Sequence, residues 1–242
     1  MKKITTVFFD LDGTLLPMDQ DTFVKAYLGG LVKVAVGYGY EPSGLAKSIM
    51  AGTYAMFQND GSKTNEDTFW LYMQSIYGDK IIEDKHIFDD YYRTDFQKVA
   101  EVCGNTPKAN EIVKFVKSKG LKVVLATNPL FPRIATESRV RWAGLDKEDF
   151  EIITTFEDYS HSKPNLEYYK DILKNLGIEA EECLMVGNDV DEDMIAEKLG
   201  MKVFLLLGDL INKSGTDINN FPHGGFDELA EFVEHLDKNC AI

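Results

Sequence analysis

Short apolar runs recur along the chain and predict β-strands that are buried on both faces. The first run, at residues 4–9, is β-branched and aromatic, without the alternation of a half-exposed strand. Four similar runs follow after a long gap, at residues 122–126, 151–154, 183–186 and 202–207. Their length and composition are typical of strands in a parallel sheet.

Amphipathic helical patterns separate the later runs. Apolar residues spaced three or four apart mark stripes at Ala109, Ile112, Val113 and Val116, at Leu166, Tyr169, Leu173 and Leu176, at Ile195 and Leu199, and at Leu229, Phe232, Val233 and Leu236. Strands that alternate with helices of this length predict an α/β fold, a Rossmann-like parallel sheet with helices on both faces. In such a sheet the reactive loops gather at the carboxyl ends of the strands.

Residues 19–103 depart from this alternation. They carry helical patterns without a convincing strand, are rich in Tyr, Phe and Met, and are interrupted at 37–42, 59–61 and 77–80. We therefore predict two parts: an α/β core domain made of residues 1–18 and 104–242, and an inserted α-helical cap subdomain made of residues 19–103.

The net charge of the chain limits the kinds of partner that it can bind. The chain has 26 basic and 40 acidic residues, which gives a formal net charge of −14. This balance disfavours nucleic acid and anionic membranes, so we expect neither as a partner. A phosphorylated substrate would need local counter-charge from a metal ion or from a few lysines. No feature of the composition indicates an oligomeric state.

The cysteines and the N-terminal segment favour a cytoplasmic protein. Cys103, Cys183 and Cys240 are far apart and lack metal-ligand spacing, which is typical of reduced thiols. The apolar run at residues 4–9 is too short for a signal peptide, and no other run is long enough to span a bilayer.

Two aspartates follow the first predicted strand directly. Asp10 and Asp12 are two residues apart and can therefore face the same way. Two carboxylates held close together repel each other unless a cation lies between them, and Mg²⁺ suits such hard oxygen ligands. Taken alone, the segment is more simply an acidic turn.

Polar residues also follow three later strands. Thr127 and Asn128 offer a hydroxyl and backbone amides that can hold phosphate oxygens. Lys163 precedes a helix whose first turn Pro164 favours, and it could neutralise a phosphoryl group. Residues 187–193 form an acidic loop that supplies further oxygen ligands. Each feature alone has a structural explanation, but their order and their placement after successive strands indicate one phosphate site.

With these motifs the chain resembles the haloacid dehalogenase superfamily, in which phosphatases predominate. The four family motifs are an Asp-x-Asp-x-Thr segment, a strand-closing Ser or Thr, a Lys ahead of a helix and an acidic loop. They are matched by Asp10, Asp12 and Thr14, by Thr127, by Lys163 and by residues 187–193. The match spans the predicted core, and residues 19–103 resemble the helical cap of members whose cap follows the first motif.

One position departs from the family pattern. The family places its third metal-binding carboxylate directly after the glycine of the fourth motif, where this chain has Asn188, with Asp189 one place later. The resemblance thus implies Asp10 and Asp12 as metal ligands together with Asn188 or Asp189. The carboxylate charge favours Asp189, and Asp193 is assigned to a water-mediated or outer contact.

The resemblance also implies a mechanism. Asp10 would attack phosphorus and form an aspartyl phosphate, while Asp12 serves as general acid and then as general base. Thr127, Asn128 and Lys163 would bind the phosphoryl oxygens. The implied function is a Mg²⁺-dependent phosphatase, a phosphoric monoester hydrolase, that acts on a small phosphorylated metabolite.

Other functions on the same fold stay open at this point. Haloacid dehalogenases lack the second aspartate of the first motif, so Asp12 favours phosphoryl chemistry. A phosphomutase or phosphonatase would need additional residues in the cap. A non-catalytic binding module is a further alternative, although such a module should have lost Asp10, Asp12 or Lys163.

Overall fold

A computed structural model describes residues 2–236 of the chain, in which six strands form one parallel sheet. The strands are β1 (Thr6–Phe9), β2 (Lys122–Leu125), β3 (Ile152–Ile153), β4 (Cys183–Gly187), β5 (Lys202–Leu206) and β6 (His223–Gly224). Their order in the sheet is β3-β2-β1-β4-β5-β6, with β1 in the centre. The predicted α/β fold with a parallel sheet is confirmed, and β6 is a strand that the hydrophobic pattern does not mark.

Nine α-helices and several 3₁₀-helices accompany the sheet in the described residues. The α-helices are α1 (Gln20–Val36), α2 (Pro42–Phe57), α3 (Asn65–Tyr77), α4 (Lys80–Glu83), α5 (Lys85–Arg93), α6 (Pro107–Ser118), α7 (Arg133–Trp142), α8 (Leu166–Leu176) and α9 (Phe226–Glu234). The 3₁₀-helices are Asp95–Val102, Lys147–Asp149, Ala180–Glu182, Met194–Leu199 and Ile218–Asn220. The pattern at Ile195 and Leu199 thus corresponds to a 3₁₀-helix. Within residues 2–236, none of the helices combines the length and the apolar character needed to cross a membrane.

Both faces of the sheet are covered, which explains the unbroken apolar runs. Val7 and Phe9 of β1 pack in one core cluster, which also contains residues of α6 and α9. Phe8, between them in the chain, points to the opposite face and packs in a second cluster with residues of α8. Because successive strand residues alternate in direction, each of them needs an apolar side chain.

Residues 19–103, which we call the helical insert, contain α1 to α5, and every residue of the insert is described. The N-terminus of α1 is capped by Asp19, which accepts the backbone N–H of Thr22 at 2.8 Å. The two ends of the insert lie side by side, since the N–H of Gly104 donates to the carbonyl of Pro17 at 2.7 Å. The chain therefore leaves β1 and returns to the sheet at one place.

The helical insert contacts the loops that follow β2 and β3. The side-chain amide of Asn65 donates to the carbonyl of Pro129 at 3.0 Å, and its backbone N–H donates to the carbonyl of Tyr159 at 2.8 Å. The hydroxyl of Ser162 donates to the carbonyl of Met56 at 3.2 Å. Asn65 and Ser162 are both buried, so these bonds form in a closed interface between the insert and the two loops.

Two of the three cysteines lie in the described part of the chain. Cys103 is half-buried at the end of the insert and Cys183 is buried at the start of β4, and both are free thiols. Burial raises the pKa of Cys183 to about 12. Cys240, the third cysteine of the sequence, lies outside the described residues.

Candidate active site

Strand register brings three loops to one edge of the sheet. Phe9, the last residue of β1, is level with Leu125 on β2 and with Val186 on β4. The backbone N–H of Asp10 donates to the carbonyl of Val186 at 2.9 Å, and the N–H of Ala126 donates to the carbonyl of Phe9 at 2.7 Å. The segments that begin at Asp10, Ala126 and Gly187 therefore start side by side.

Asp10 belongs to a buried cluster of opposite charges. The Lys163 ammonium lies 2.9 Å from Asp10 Oδ1 and 2.6 Å from Asp193 Oδ1. Lys163 and Asp193 are each 1% exposed, and Asp10 is 7% exposed. Burial opposes the lysine charge, but attraction to both carboxylates outweighs it and raises the pKa of Lys163. The lysine is thus a buried cation that bridges the first and fourth motifs.

Thr14 connects Asp10 to Asn188. Its hydroxyl lies 3.1 Å from Asp10 Oδ2 and 2.9 Å from Asn188 Oδ1, so two acceptor oxygens share a single donor proton. Gly13 has a φ of +83°, and a Cβ at this position would collide with the Asn188 side chain. The turn of the first motif therefore packs directly on Asn188.

Asp189 faces its own loop. Its Oδ1 accepts the backbone N–H of Asp191 at 2.8 Å and that of Glu192 at 3.0 Å. Its backbone N–H donates to Asp193 Oδ2 at 3.0 Å. The carboxylate of Asp189 thus stabilises the turn of the acidic loop, whereas Asn188 is the residue of the pair that shares a partner with Asp10.

Asp12 forms an ion pair that the sequence analysis does not anticipate. A guanidinium nitrogen of Arg139, on α7, donates to Asp12 Oδ2, and Arg139 is fully buried. The other oxygen, Asp12 Oδ1, is buried and has no hydrogen-bond partner among residues 2–236. Burial raises the pKa of Asp12, while the charge of Arg139 acts in the opposite direction.

Thr127 and Asn128 occupy the loop after β2. The carbonyl of Thr127 accepts the hydroxyls of Thr154 at 2.6 Å and of Tyr168 at 2.9 Å, which fix the backbone where β2 ends. Asn128 Oδ1 accepts the backbone N–H of Lys163 at 3.2 Å, and its amide nitrogen donates to Glu192 at 2.9 Å. The Asn128 side chain therefore joins the loop of the lysine to the acidic loop.

The structure thus brings Asp10, Asn128, Lys163 and Asn188 into one hydrogen-bonded cluster, with Asp12 beside it. Sequence reasoning missed the direct contact of Asp193 with Lys163 and missed Arg139 altogether. The sequence offers no signal for Arg139, because the burial of this residue is visible only in the structure. Arg139 lies three residues after Thr136 and four after Ala135 on the buried face of α7, an unusual position for a basic residue.

A sequence model of the haloacid dehalogenase-like hydrolases matches residues 4–199, a stretch that contains all four motifs. The chain belongs to this hydrolase family. The family match extends from the start of β1 to the end of the acidic loop and its 3₁₀-helix. It therefore includes every residue of the charge clusters described above.

Two curated relatives of this family member carry phosphatase names. The glyceraldehyde 3-phosphate phosphatase of Methanocaldococcus jannaschii is 34% identical over 92 residues, which are 37% of this chain and 40% of the relative. The pyrophosphatase PpaX of Bacillus cereus is 27% identical over 202 residues, which are 83% of this chain and 82% of the relative. The more identical match thus spans less than half of either protein.

Solved structures share the fold. A phosphatase of the family from Thermococcus onnurineus has a TM-score of 0.58 at 16% identity and covers 95% of this chain and 98% of its own. The L-2-haloacid dehalogenase RSc1362 has a TM-score of 0.55 at 15% identity, with 96% and 100% covered. A phosphatase and a dehalogenase resemble this hydrolase-family member equally well, so the fold alone does not distinguish the two activities.

Proposed function

We propose that this chain is a Mg²⁺-dependent phosphatase that transfers the phosphoryl group of a small metabolite to Asp10 and then to water. The observation that carries the proposal is the buried Lys163 ammonium, held 2.9 Å from Asp10 at the edge where the strands end. A fixed cation beside a carboxylate nucleophile can attract an anionic phosphoryl group and stabilise charge in the transition state.

The oxygen groups near Asp10 fit a magnesium ion. Among residues 2–236, no three Asp, Glu, His or Cys side chains are arranged to hold a metal by themselves. The ligand set therefore needs neutral oxygens as well, and we assign it to the Asp10 carboxylate, the backbone carbonyl of Asp12 and the Asn188 amide. Asp10 Oδ2 and Asn188 Oδ1 both lie within hydrogen-bond distance of the Thr14 hydroxyl, so the two oxygens are near each other and each keeps a lone pair for a hard cation. When bound, Mg²⁺ would shield the Asp10 carboxylate from the charge of the substrate.

The ligand assignment revises the preference for Asp189 that its charge suggests. The Asp189 carboxylate already accepts two backbone N–H groups of its own turn. Asn188 is connected to Asp10 through one hydroxyl and packs against Gly13. We therefore place Asn188 at the metal and give Asp189 a role in shaping the loop.

The proposed reaction has two steps. In the first, an oxygen of Asp10 forms a bond to phosphorus while the bond to the leaving oxygen breaks, and Asp12 gives that oxygen a proton. In the second, Asp12 takes a proton from water, the water oxygen bonds to phosphorus, and the bond to Asp10 breaks. Lys163, with Thr127 and the backbone amides near Asn128, would bind the phosphoryl oxygens.

Asp12 supports phosphoryl transfer over dehalogenation. A halide leaves carbon without a proton, so a dehalogenase needs no general acid at this position. Here Asp12 is present, and its Oδ1 is buried without a hydrogen-bond partner in the described part of the chain. The phosphatase names of the curated relatives point the same way.

The helical insert would serve as the cap over this site. Asn65 and Ser162 tie it to the loops that carry Asn128 and Lys163. A cap held at both loops excludes water and limits the size of the leaving group, which favours small phosphate esters and anhydrides as substrates.

Phosphate release from a panel of small phosphate esters, measured with Mg²⁺ and with EDTA, tests the proposal. We expect release by the wild type in Mg²⁺ only, and a loss of about 10⁴-fold or more for Asp10→Asn, because an amide is a far weaker nucleophile. Asp21→Asn, an exposed change at the start of α1, is the matched control and should keep full activity. Release that persists in Asp10→Asn, or in EDTA, would contradict the mechanism.

A further inference from the structure

Arg139 is a buried cation outside the four motifs. It lies on α7, is fully buried, and forms an ion pair with Asp12 and with no other carboxylate in residues 2–236. We propose that Arg139 is the positioning residue that orients Asp12 for proton transfer to the leaving group. This proposal rests on the proposed phosphatase function, and it adds a residue that the motifs do not contain.

The hydrogen bonding of Asp12 is one-sided, and this asymmetry supports the proposal. Arg139 holds Oδ2, while Oδ1 is buried and unpartnered in the described residues. A carboxyl group that exchanges protons with a substrate needs one oxygen fixed and the other free to meet it. A carboxylate held only for stability would be expected to have both oxygens satisfied, because an unpaired buried oxygen is costly.

Besides Asp12, two residues hold the guanidinium in place. Its second terminal nitrogen donates to the Thr136 hydroxyl at 3.2 Å, and its Cζ atom lies 4.5 Å from the centre of the Phe131 ring. Phe131 in turn packs against Tyr27 of the helical insert, with ring centres 5.1 Å apart. Because the guanidinium fork is rigid, these contacts fix the direction in which it donates to Asp12.

Stability alone is a poor reason for this pair. Two buried charges lose their hydration, and an apolar pair of similar volume often stabilises a protein at least as well. The Nε atom of Arg139 is also buried without a hydrogen-bond partner in the described residues, which adds to the cost. An arrangement that is costly for folding is typical of a residue kept for function.

The proposal predicts a dependence on the leaving group. An alkyl phosphate needs a proton on its departing oxygen, whereas p-nitrophenyl phosphate releases a stable anion that does not. A misplaced Asp12 should therefore slow the first ester and spare the second. The comparison uses kcat/KM, which covers the steps up to the first phosphoryl transfer and excludes hydrolysis of the intermediate.

The experiment measures kcat/KM for both esters in the wild type, Arg139→Lys, Thr136→Val and Arg141→Lys. For Arg139→Lys we expect a loss of about 30-fold on the alkyl ester, which is less than the roughly 10²- to 10⁴-fold contribution of general acid catalysis, and less than about 3-fold on p-nitrophenyl phosphate. Thr136→Val keeps Arg139 but removes one of its partners. It should shift the ratio of kcat/KM for the alkyl ester to kcat/KM for p-nitrophenyl phosphate by about 3-fold. Arg141 is an exposed residue of the same helix, so Arg141→Lys should leave both values unchanged.

The outcomes separate this proposal from the phosphatase function. If the wild type hydrolyses neither ester, the phosphatase proposal fails. If it hydrolyses both, and Arg139→Lys slows them equally, Arg139 does not act through Asp12 and the inference is overturned. Circular dichroism checks the fold of each variant. If Arg139→Lys does not fold, Thr136→Val provides the test. An unchanged ratio of the two kcat/KM values in Thr136→Val overturns the inference.

Discussion

Replacing Lys163 by methionine removes the cation that separates two buried carboxylates. The ammonium lies 2.9 Å from Asp10 and 2.6 Å from Asp193, so the change deletes two charge-assisted hydrogen bonds in a region closed to water. Methionine fills a similar volume, and the loss is therefore electrostatic rather than a packing defect. The two carboxylates are left to repel each other without a counter-charge.

The size of the effect follows from burial. Removing one partner of a buried ion pair costs about 3–5 kcal/mol, because an uncompensated charge stays inside the protein. For a chain of this size each kcal/mol corresponds to a change in Tm of about 2–4 °C. We therefore expect Lys163→Met to lower the free energy of unfolding by about 3–5 kcal/mol and the Tm by about 10 °C.

Urea denaturation followed by circular dichroism, without added metal, measures this change. The matched control is Lys98→Met, because Lys98 pairs with Asp95 on an exposed surface, where the lysine side chain is 75% exposed. Exposed pairs of this kind contribute little, so the control should change stability by less than about 0.5 kcal/mol. A loss below about 1 kcal/mol for Lys163→Met would refute the assignment of a buried lysine that is paired with Asp10 and Asp193.

Two further predictions concern the first and fourth motifs. Gly13→Ala should destabilise the protein by about 1–2 kcal/mol more than Gly39→Ala in urea denaturation, since both glycines have positive φ but only a Cβ at Gly13 would meet Asn188. Equal losses would show that Gly13 does not pack on Asn188. Asn188→Asp should tighten Mg²⁺ binding about tenfold by isothermal titration calorimetry, because one ligand gains a charge, while Asp189→Asn should change it less than about 3-fold. A large loss of Mg²⁺ binding in Asp189→Asn alone would restore the assignment of the metal to Asp189.

Much of the fold follows from hydrophobic patterns because the sheet is buried on both faces. Residues 122–126 and 183–186 show unbroken apolar runs, and the structure has β2 and β4 there with ends that differ by one residue. The helix α8 has an apolar stripe that predicts it correctly, from Leu166 to Leu176. These elements bury mostly apolar side chains, so the hydrophobic pattern of the sequence is enough to predict them.

The pattern fails where a buried face is polar. The helix α7 buries Thr136, Ser138 and Arg139 beside Ala135 and Val140. Its sequence has no apolar stripe that would predict a helix here. Two of these buried polar residues, Ser138 and Arg139, have hydrogen-bond partners far along the chain. Arg139, for example, meets Asp12, which is 127 residues away. Such pairings depend on topology, and a spacing rule within one segment does not reveal them.

The same limit applies to the assignments within the fourth motif. Charge alone favours Asp189 over Asn188 as a metal ligand, because a carboxylate attracts Mg²⁺ more strongly than an amide. In the structure, Oδ1 of Asp189 accepts the N–H groups of Asp191 and Glu192. These local backbone hydrogen bonds use one oxygen of Asp189, which residue spacing does not predict, and the assignment of the metal to Asn188 remains our proposal.

The balance of charge at the site bears on its need for a cation. Among residues 2–236, the carboxylates of Asp10, Asp12 and Asp193 are paired with two cations, Lys163 and Arg139. These five groups carry one net negative charge above the pKa of Asp193, which burial raises to about 8. An arriving phosphate dianion would meet a site of its own sign, in surroundings where burial strengthens repulsion. Neither protein cation is free to move toward the substrate, since each is already paired with a carboxylate. A divalent ion at Asp10 and Asn188 would compensate the net negative charge of the cluster. We therefore expect phosphate esters to bind poorly in EDTA as well as to react slowly.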